Sequence, residues 1–229
     1  MLLNTPNTVI YSPGICRTGT TSLLEHTILD DYKVTHRNNF DSYVIKNGLY
    51  IKNKHLPWEI MNENYLDKVY NNLYMFSLVR NPWSRIFSQW KRDQHSELHP
   101  KEDFKNWGDE RIKVNFNKFI QRKLNPNSPP LHNNYRWWTN LRWLGGVENI
   151  DRYNYIGKFE NFNTSLDIIL KDIKNLTGLQ IETSKLPKVN SQLKRPKEYV
   201  KYYSSSSISK VEELYKEDIE YFNYKFAKN

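Results

Sequence analysis

The 229-residue chain has a single cysteine, Cys16, so no internal disulfide can form and a packed core must hold the fold together. No run approaches the roughly 20 apolar residues of a membrane-spanning helix. The start, Met1-Leu2-Leu3-Asn4-Thr5, lacks the basic and apolar regions of a secretory signal. These absences lead us to expect a cytoplasmic chain with no membrane span. No cluster of histidine, cysteine or carboxylate has metal-ligand spacing, so no metal is implied. Repeats and low-complexity tails are missing too, and Ser204 to Ser207 reads as a loop or helix cap. The short gaps between periodic segments leave no room for a linker, which predicts one domain over residues 1–229.

What is abundant is positive charge. Lysine and arginine number 34 against 25 acids, a formal net charge of +9 that favours anionic partners. The basic residues are scattered among acids and carry no recognition motif, so nucleic acid is not an expected partner.

The order of periodicities predicts an α/β fold: a single P-loop-like domain with a central, mostly parallel sheet flanked by helices. Thr8 to Tyr11 reads as the first strand and Thr20 to Leu29 as the helix after it. Tyr32 to Thr35 reads as a short strand, Tyr65 to Tyr70 as helical, Leu73 to Val79 as a central strand and Tyr153 to Lys158 as the last strand. Thr164 to Leu176 is predicted helical with Leu166, Ile169, Leu170 and Ile173 inward, and Ser207 to Phe226 is predicted as one closing helix. Residues 95–146 are polar and aromatic with weak periodicity apart from Val114 to Leu124, and read as an insertion on one side of a cleft.

Two segments carry the chemistry. The first, Pro13-Gly14-Ile15-Cys16-Arg17-Thr18-Gly19-Thr20-Thr21-Ser22-Leu23, joins the first strand to a helix and is almost a Walker A loop. Gly14 and Gly19 have the G-x-x-x-x-G spacing, but Thr20 stands where a triphosphatase has its lysine, and the cation lies inside the loop at Arg17. Backbone N–H groups, threonine hydroxyls and one internal arginine suit a compact anion on a nucleotide without a γ-phosphate. The second segment runs from Met75 to Trp90. A strand ends at Arg80, Pro82 suits the first turn of a helix, and Trp83, Ile86, Phe87 and Trp90 give that helix one buried stripe. Ligands of open α/β sheets bind at this edge.

RTGTTSL together with VRNPWSRIFSQW resembles the paired nucleotide signatures of the sulfotransferases that use 3′-phosphoadenosine-5′-phosphosulfate (PAPS). Further pieces, KHLPWEI, YIGKFENF, LPKVNS and the terminal LYKEDIEYFNY, follow in the order of the carbohydrate-type, sulfotransferase family 2-like branch. Arg17 occupies a site that is lysine in many relatives and arginine in several branches. The resemblance implies an enzyme that moves a sulfuryl group from PAPS as cosubstrate to a hydroxyl acceptor of the carbohydrate class. Golgi relatives carry an N-terminal anchor that this sequence does not show.

On that reading the phosphosulfate cradle is Arg17, Thr18, Gly19, Thr20, Thr21 and Ser22, with Arg17 neutralising the leaving oxygen. Arg80 and Ser88 clamp the 3′-phosphate. Arg85, on the same helix, is expected to make a structural ion pair. Ser191, Lys194 and Arg195 either close over the 3′-phosphate or form a solvated basic loop. His55 is the family-implied general base, with His132, Glu59 and Glu63 as alternatives and His26 structural. Of Trp107, Trp137, Trp138 and Trp143, most are expected in the core and one or two at the acceptor cleft, with Arg136 and Arg142 available to anionic groups. A P-loop kinase or triphosphatase and a non-catalytic polyanion-binding protein are the competing readings. The first lacks the loop lysine and a strand ending in a Walker B aspartate.

Overall fold

The structure, a computed structural model, describes residues 2–4, 8–19, 42–44, 50–52, 57–59, 73–96, 107–124, 135–178 and 198–226. The expected elements at 20–29, 32–35 and 65–70 lie outside these residues. Two compact units are present, one formed by Met1–Val79 with Asn140–Asn190 and the other by Arg80–Thr139 with Ser191–Asn229.

The first unit is built on a sheet of strands β1 (Leu2–Asn4), β2 (Val9–Tyr11), β3 (Ser42–Val44), β4 (Tyr50–Lys52), β5 (Leu73–Val79) and β6 (Tyr155–Lys158), in the order β3-β4-β1-β2-β5-β6. β2, β5 and β6 are parallel, with Ile10 opposite Tyr74 and Leu78 opposite Gly157. β1, β4 and β3 extend the sheet by antiparallel pairing, which the sequence reading did not anticipate. β5 is buried from Tyr74 to Val79, Ser77 included, as its largely apolar run requires of a strand covered on both faces. Asn154 prolongs the β5–β6 pairing: its N–H donates to Met75 O at 2.8 Å, and its Oδ1 accepts the Met75 N–H at 2.7 Å.

Helix α4 of this unit (Phe162–Thr177) buries Leu166, Ile169, Leu170 and Ile173, the inward stripe predicted from spacing, and begins earlier than predicted with Phe162 buried as well. Each fully buried aliphatic side chain contributes about 1.5–3 kcal/mol. The helix comes so close to β6 that a Cβ at Gly157 would stand 2.5 Å from Ser165 Oγ. At the far end Tyr74 donates to Asp172 at 2.7 Å, and Gly178, at φ 69°, ends the helix with its N–H on Lys174 O.

The second unit packs α1 (Pro82–Ser96), α2 (Asp109–Lys123), α5 (Ser205–Leu214) and α6 (Lys216–Tyr221), with a short α3 (Asn140–Leu144) belonging to the first unit. Asn81 caps α1: its Oδ1 accepts the Ser84 N–H at 3.3 Å, while its Nδ2 donates to Lys225 O at 3.1 Å. Trp83, Ile86, Phe87 and Trp90 are all buried. Phe87 meets Phe116 edge-on at 5.0 Å and stacks on Tyr202 at 5.1 Å, and Phe116 meets Tyr203 at 4.8 Å. Such ring pairs add to the area they bury.

The predicted closing helix is corrected to two. Ser204 caps α5 through the Ser207 N–H at 3.2 Å, but the chain breaks at Tyr215, where φ is −115° and ψ 24°. Tyr215 is buried and its hydroxyl donates to Trp137 O at 2.6 Å, a tertiary bond that outweighs helix continuation.

An ion pair with its own pH signature anchors the start of α2. Asp109 accepts from Lys201 Nζ at 2.6 Å and from the Tyr202 hydroxyl at 2.7 Å, which holds its carboxyl below the ordinary 3.8. A depressed carboxyl contributes stability above its unfolded pKa and loses it as pH falls through the folded value. Denaturant midpoints of the wild type and Asp109→Asn should therefore differ at neutral pH, and the gap should narrow on acidification below 3.8. A gap that stays constant down to about pH 3 would show that the Asp109 charge does not support the fold.

Candidate active site

In the first unit, β2 runs directly into the loop that carries Arg17. Gly14, Arg17 and Gly19 all have left-handed backbone, at φ 64°, 67° and 84°. Alternation of left-handed residues with others is how short loops turn successive N–H groups toward an anion. Ile15 and Cys16 are buried and fasten the loop from below, while Arg17 between them and Thr18 is half-buried. Thr18 points inward: its N–H and hydroxyl both donate to Ile15 O, at 3.4 and 2.7 Å. Thr18 thus closes the turn with its side chain.

Gly19 is required twice over. Its φ of 84° suits glycine, and a Cβ there would run into the Phe162 ring and lie 3.2 Å from the Phe159 ring. Phe159 and Phe162 themselves meet edge-on at 5.6 Å. The YIGKFENF segment therefore supplies the wall on which the end of the loop rests.

Tyr11, the last residue of β2, packs with Trp58 and Tyr153 at ring distances of 6.3–6.4 Å. Burial raises the Tyr11 and Tyr153 phenols well above their ordinary range, and their shared hydrogen bond raises Tyr11 further while opposing the rise at Tyr153. Gly145, at φ 88°, lies directly against Trp58. Glu59, a candidate base, is half-exposed with Oε1 3.4 Å from Arg142 Nε.

In the second unit, Arg80 and Ser88 flank the first turns of α1. The Arg80 Nε and Nη2 groups donate to Ser84 Oγ at 3.0 and 2.8 Å. The sequence reading missed Ser84, although its four-residue separation from Arg80 was the available signal. Ser88 is buried one turn further along the helix.

Arg85 corrects another expectation. It is 2 % exposed, yet among the described residues it pairs with no carboxylate. Its Nη2 donates to Trp138 O, and its guanidinium lies 5.6 Å from the Tyr215 ring centre. Burial pushes the Tyr215 phenol up to about 12, against the opposing pull of the Arg85 charge.

Of the four tryptophans, Trp137 and Trp143 are buried, while Trp107 and Trp138 are partly exposed. Arg111 stacks over Trp107 at 4.1 Å. Arg136 lies 3.9 Å from Asp93. His55, His132, His26, Glu63, Thr20, Thr21, Ser22, Ser191, Lys194 and Arg195 lie outside the described residues. Among the described residues no group of three or more histidine, cysteine or carboxylate side chains is arranged to hold a metal, and no helix is long and apolar enough to cross a membrane.

A parallel strand feeding a glycine-bounded loop with left-handed backbone, and a second parallel strand feeding a capped helix, define an α/β protein of P-loop-like type. A model of the sulfotransferase family matches residues 6–225, nearly the whole chain, and the protein belongs to that family. It is a sulfotransferase, with the hydroxyl-bearing acceptor that this class of transfer implies. No curated protein matches the chain.

The constraint at Gly19 is directly measurable. Gly19→Ala adds a Cβ at positive φ and drives it into Phe162, which is buried and cannot swing aside. Strain of both kinds predicts a loss of about 2 kcal/mol or more in urea denaturation. A variant within about 0.5 kcal/mol of wild type would mean that the loop relaxes freely away from the ring.

Proposed function

We propose that the protein transfers the sulfuryl group of PAPS to a carbohydrate hydroxyl, in one domain spanning 1–229. The family match runs through both compact units, which supports the single domain. The observation that carries the reading is Arg17, a cation inside a left-handed loop that lacks the Walker lysine. A triphosphate needs a lysine reaching its outer phosphates, whereas a phosphosulfate needs charge at the bridging oxygen.

The residues suit such a ligand on two further grounds. The left-handed backbone at Gly14, Arg17 and Gly19 is the element from which anion-binding nests are built. Arg80 donates through Nε and Nη2 to a neutral hydroxyl, Ser84 Oγ, which adds no negative charge beside a guanidinium suited to a 3′-phosphate. On this reading Arg17, Thr18, Gly19, Thr20, Thr21 and Ser22 hold the 5′ end, with Thr18 acting through the shape of the loop. Arg80 and Ser88, joined by Ser191 and Lys194, hold the 3′ end.

PAPS supplies an activated sulfuryl group. The acceptor oxygen forms a bond to sulfur while the bond from sulfur to the 5′-phosphate oxygen breaks, leaving 3′-phosphoadenosine-5′-phosphate. Arg17 stabilises the charge that collects on the leaving oxygen. The acceptor proton passes to His55, a group whose ordinary pKa near 6.5 suits the task. Trp58, three residues further along the same KHLPWEI segment, packs against Tyr11 of β2, which feeds the cradle.

Nucleotide choice tests the reading. Calorimetry should find 3′-phosphoadenosine-5′-phosphate bound far more tightly than AMP, ADP or ATP, and Arg80→Ala should cost one to two powers of ten in that affinity, from a charge-assisted bond of about 1.5–3 kcal/mol. Equal affinities for AMP and the 3′-phosphorylated nucleotide would overturn the assignment, and preference for ATP would favour a kinase. Arg17→Ala should lower kcat more than it weakens nucleotide binding, since its partner gains charge in the transition state.

The base has its own test. His55→Ala should reduce transfer by about 10²–10⁴-fold and abolish the acidic limb of the rate profile, with product-nucleotide affinity intact. Near-normal turnover would move the role to His132, Glu59 or Glu63.

A further inference from the structure

We infer that Ser84 is a positioning residue for the nucleotide clamp, setting the plane and direction of the Arg80 guanidinium. The inference rests on the proposed reading of Arg80 as the 3′-phosphate contact. Ser84 Oγ accepts from Nε at 3.0 Å and from Nη2 at 2.8 Å, two groups on one edge of the guanidinium. Two bonds to one point fix both the roll of the planar group and the extension of its flexible stem, whereas one bond would leave it free to swivel.

Ser84 is itself held in place. It is 8 % exposed, its N–H donates to Asn81 Oδ1, and Asn81 Nδ2 donates to the Lys225 carbonyl. A continuous chain of bonds thus runs from the backbone at Lys225 through the helix cap to Arg80, all within one unit of the protein. The choice of a hydroxyl matters. A carboxylate at this position would hold the guanidinium as firmly but neutralise it, and would compete with an incoming phosphate. The serine hydroxyl accepts both bonds and brings no negative charge of its own.

The test compares Ser84→Ala, Ser84→Thr and Ser84→Asp by calorimetry with 3′-phosphoadenosine-5′-phosphate and AMP, alongside thermal melts. Ser84→Ala should lower the preference for the 3′-phosphorylated nucleotide by about tenfold, with AMP affinity unchanged. Ser84→Thr should restore the preference, and Ser84→Asp should depress it more than alanine does. An alanine variant that keeps the wild-type preference, or that loses both affinities in parallel with its melting temperature, overturns the positioning role. Wild-type protein that does not distinguish the two nucleotides overturns the reading of Arg80 itself, and Ser84 with it.

Discussion

The backbone turn between Gly14 and Gly19 is the constraint on which the rest depends. Glycine adopts left-handed backbone at no steric penalty, but Arg17 does not, and a non-glycine residue there costs on the order of 1–2 kcal/mol. The strain persists because its neighbours leave no alternative. Ile15, Cys16 and Thr18 are buried, Thr18 is bonded twice to Ile15 O, and the outgoing backbone at Gly19 is pressed against Phe162. On the proposed reading of this loop as an anion site, a backbone fixed this way spares binding part of the ordering entropy.

The same economy recurs at α1. A helix start leaves N–H groups unsatisfied, and here Asn81 takes one of them while its amide ties the cap to the Lys225 carbonyl. Pro82 adds a fixed φ where no N–H is needed. The outcome is a rigid first turn with Ser84 on it, and a rigid turn is what makes the Arg80 contact directional. Behind it the aromatic packing of Phe87, Trp90, Phe116 and Tyr203 prevents the helix from rolling.

What could be read in the sequence was what local pattern encodes. The stripes of α1 and α4 repeat at the helical period, and the apolar run of β5 and the glycine spacing of the loop are each contained in a few residues, so a window of a dozen residues sufficed. The antiparallel extension was invisible because β1, β3 and β4 are three residues each, too short to display alternation, and their pairing is decided by distant partners. The break at Tyr215 was hidden for the opposite reason. The helical pattern continues through it, and only the tertiary bond to Trp137 O ends the helix. Ser84 was overlooked beside two residues with stronger family signals, even though a serine one turn from an arginine is a contact that helix geometry makes available.

Arg85 shows why charge alone misleads in such a reading. An arginine in a helix rich in neighbours suggests an ion pair, yet this one is buried with Nε and Nη1 unbonded among the described residues. A planar guanidinium tolerates this better than an ammonium would, because it is weakly hydrated and gains from an aromatic face. Tyr215 supplies that face and also holds Trp137 O, while Arg85 holds the next carbonyl, Trp138 O. Two successive carbonyls of one segment are thus gripped by side chains from α1 and from the break between α5 and α6. The break at Tyr215 and the burial of Arg85 meet at one place: the Tyr215 hydroxyl and one Arg85 nitrogen serve neighbouring carbonyls, and the guanidinium rests over the Tyr215 ring. Replacing either with an apolar residue of similar size would leave a carbonyl without its donor, the costly half of a broken hydrogen bond.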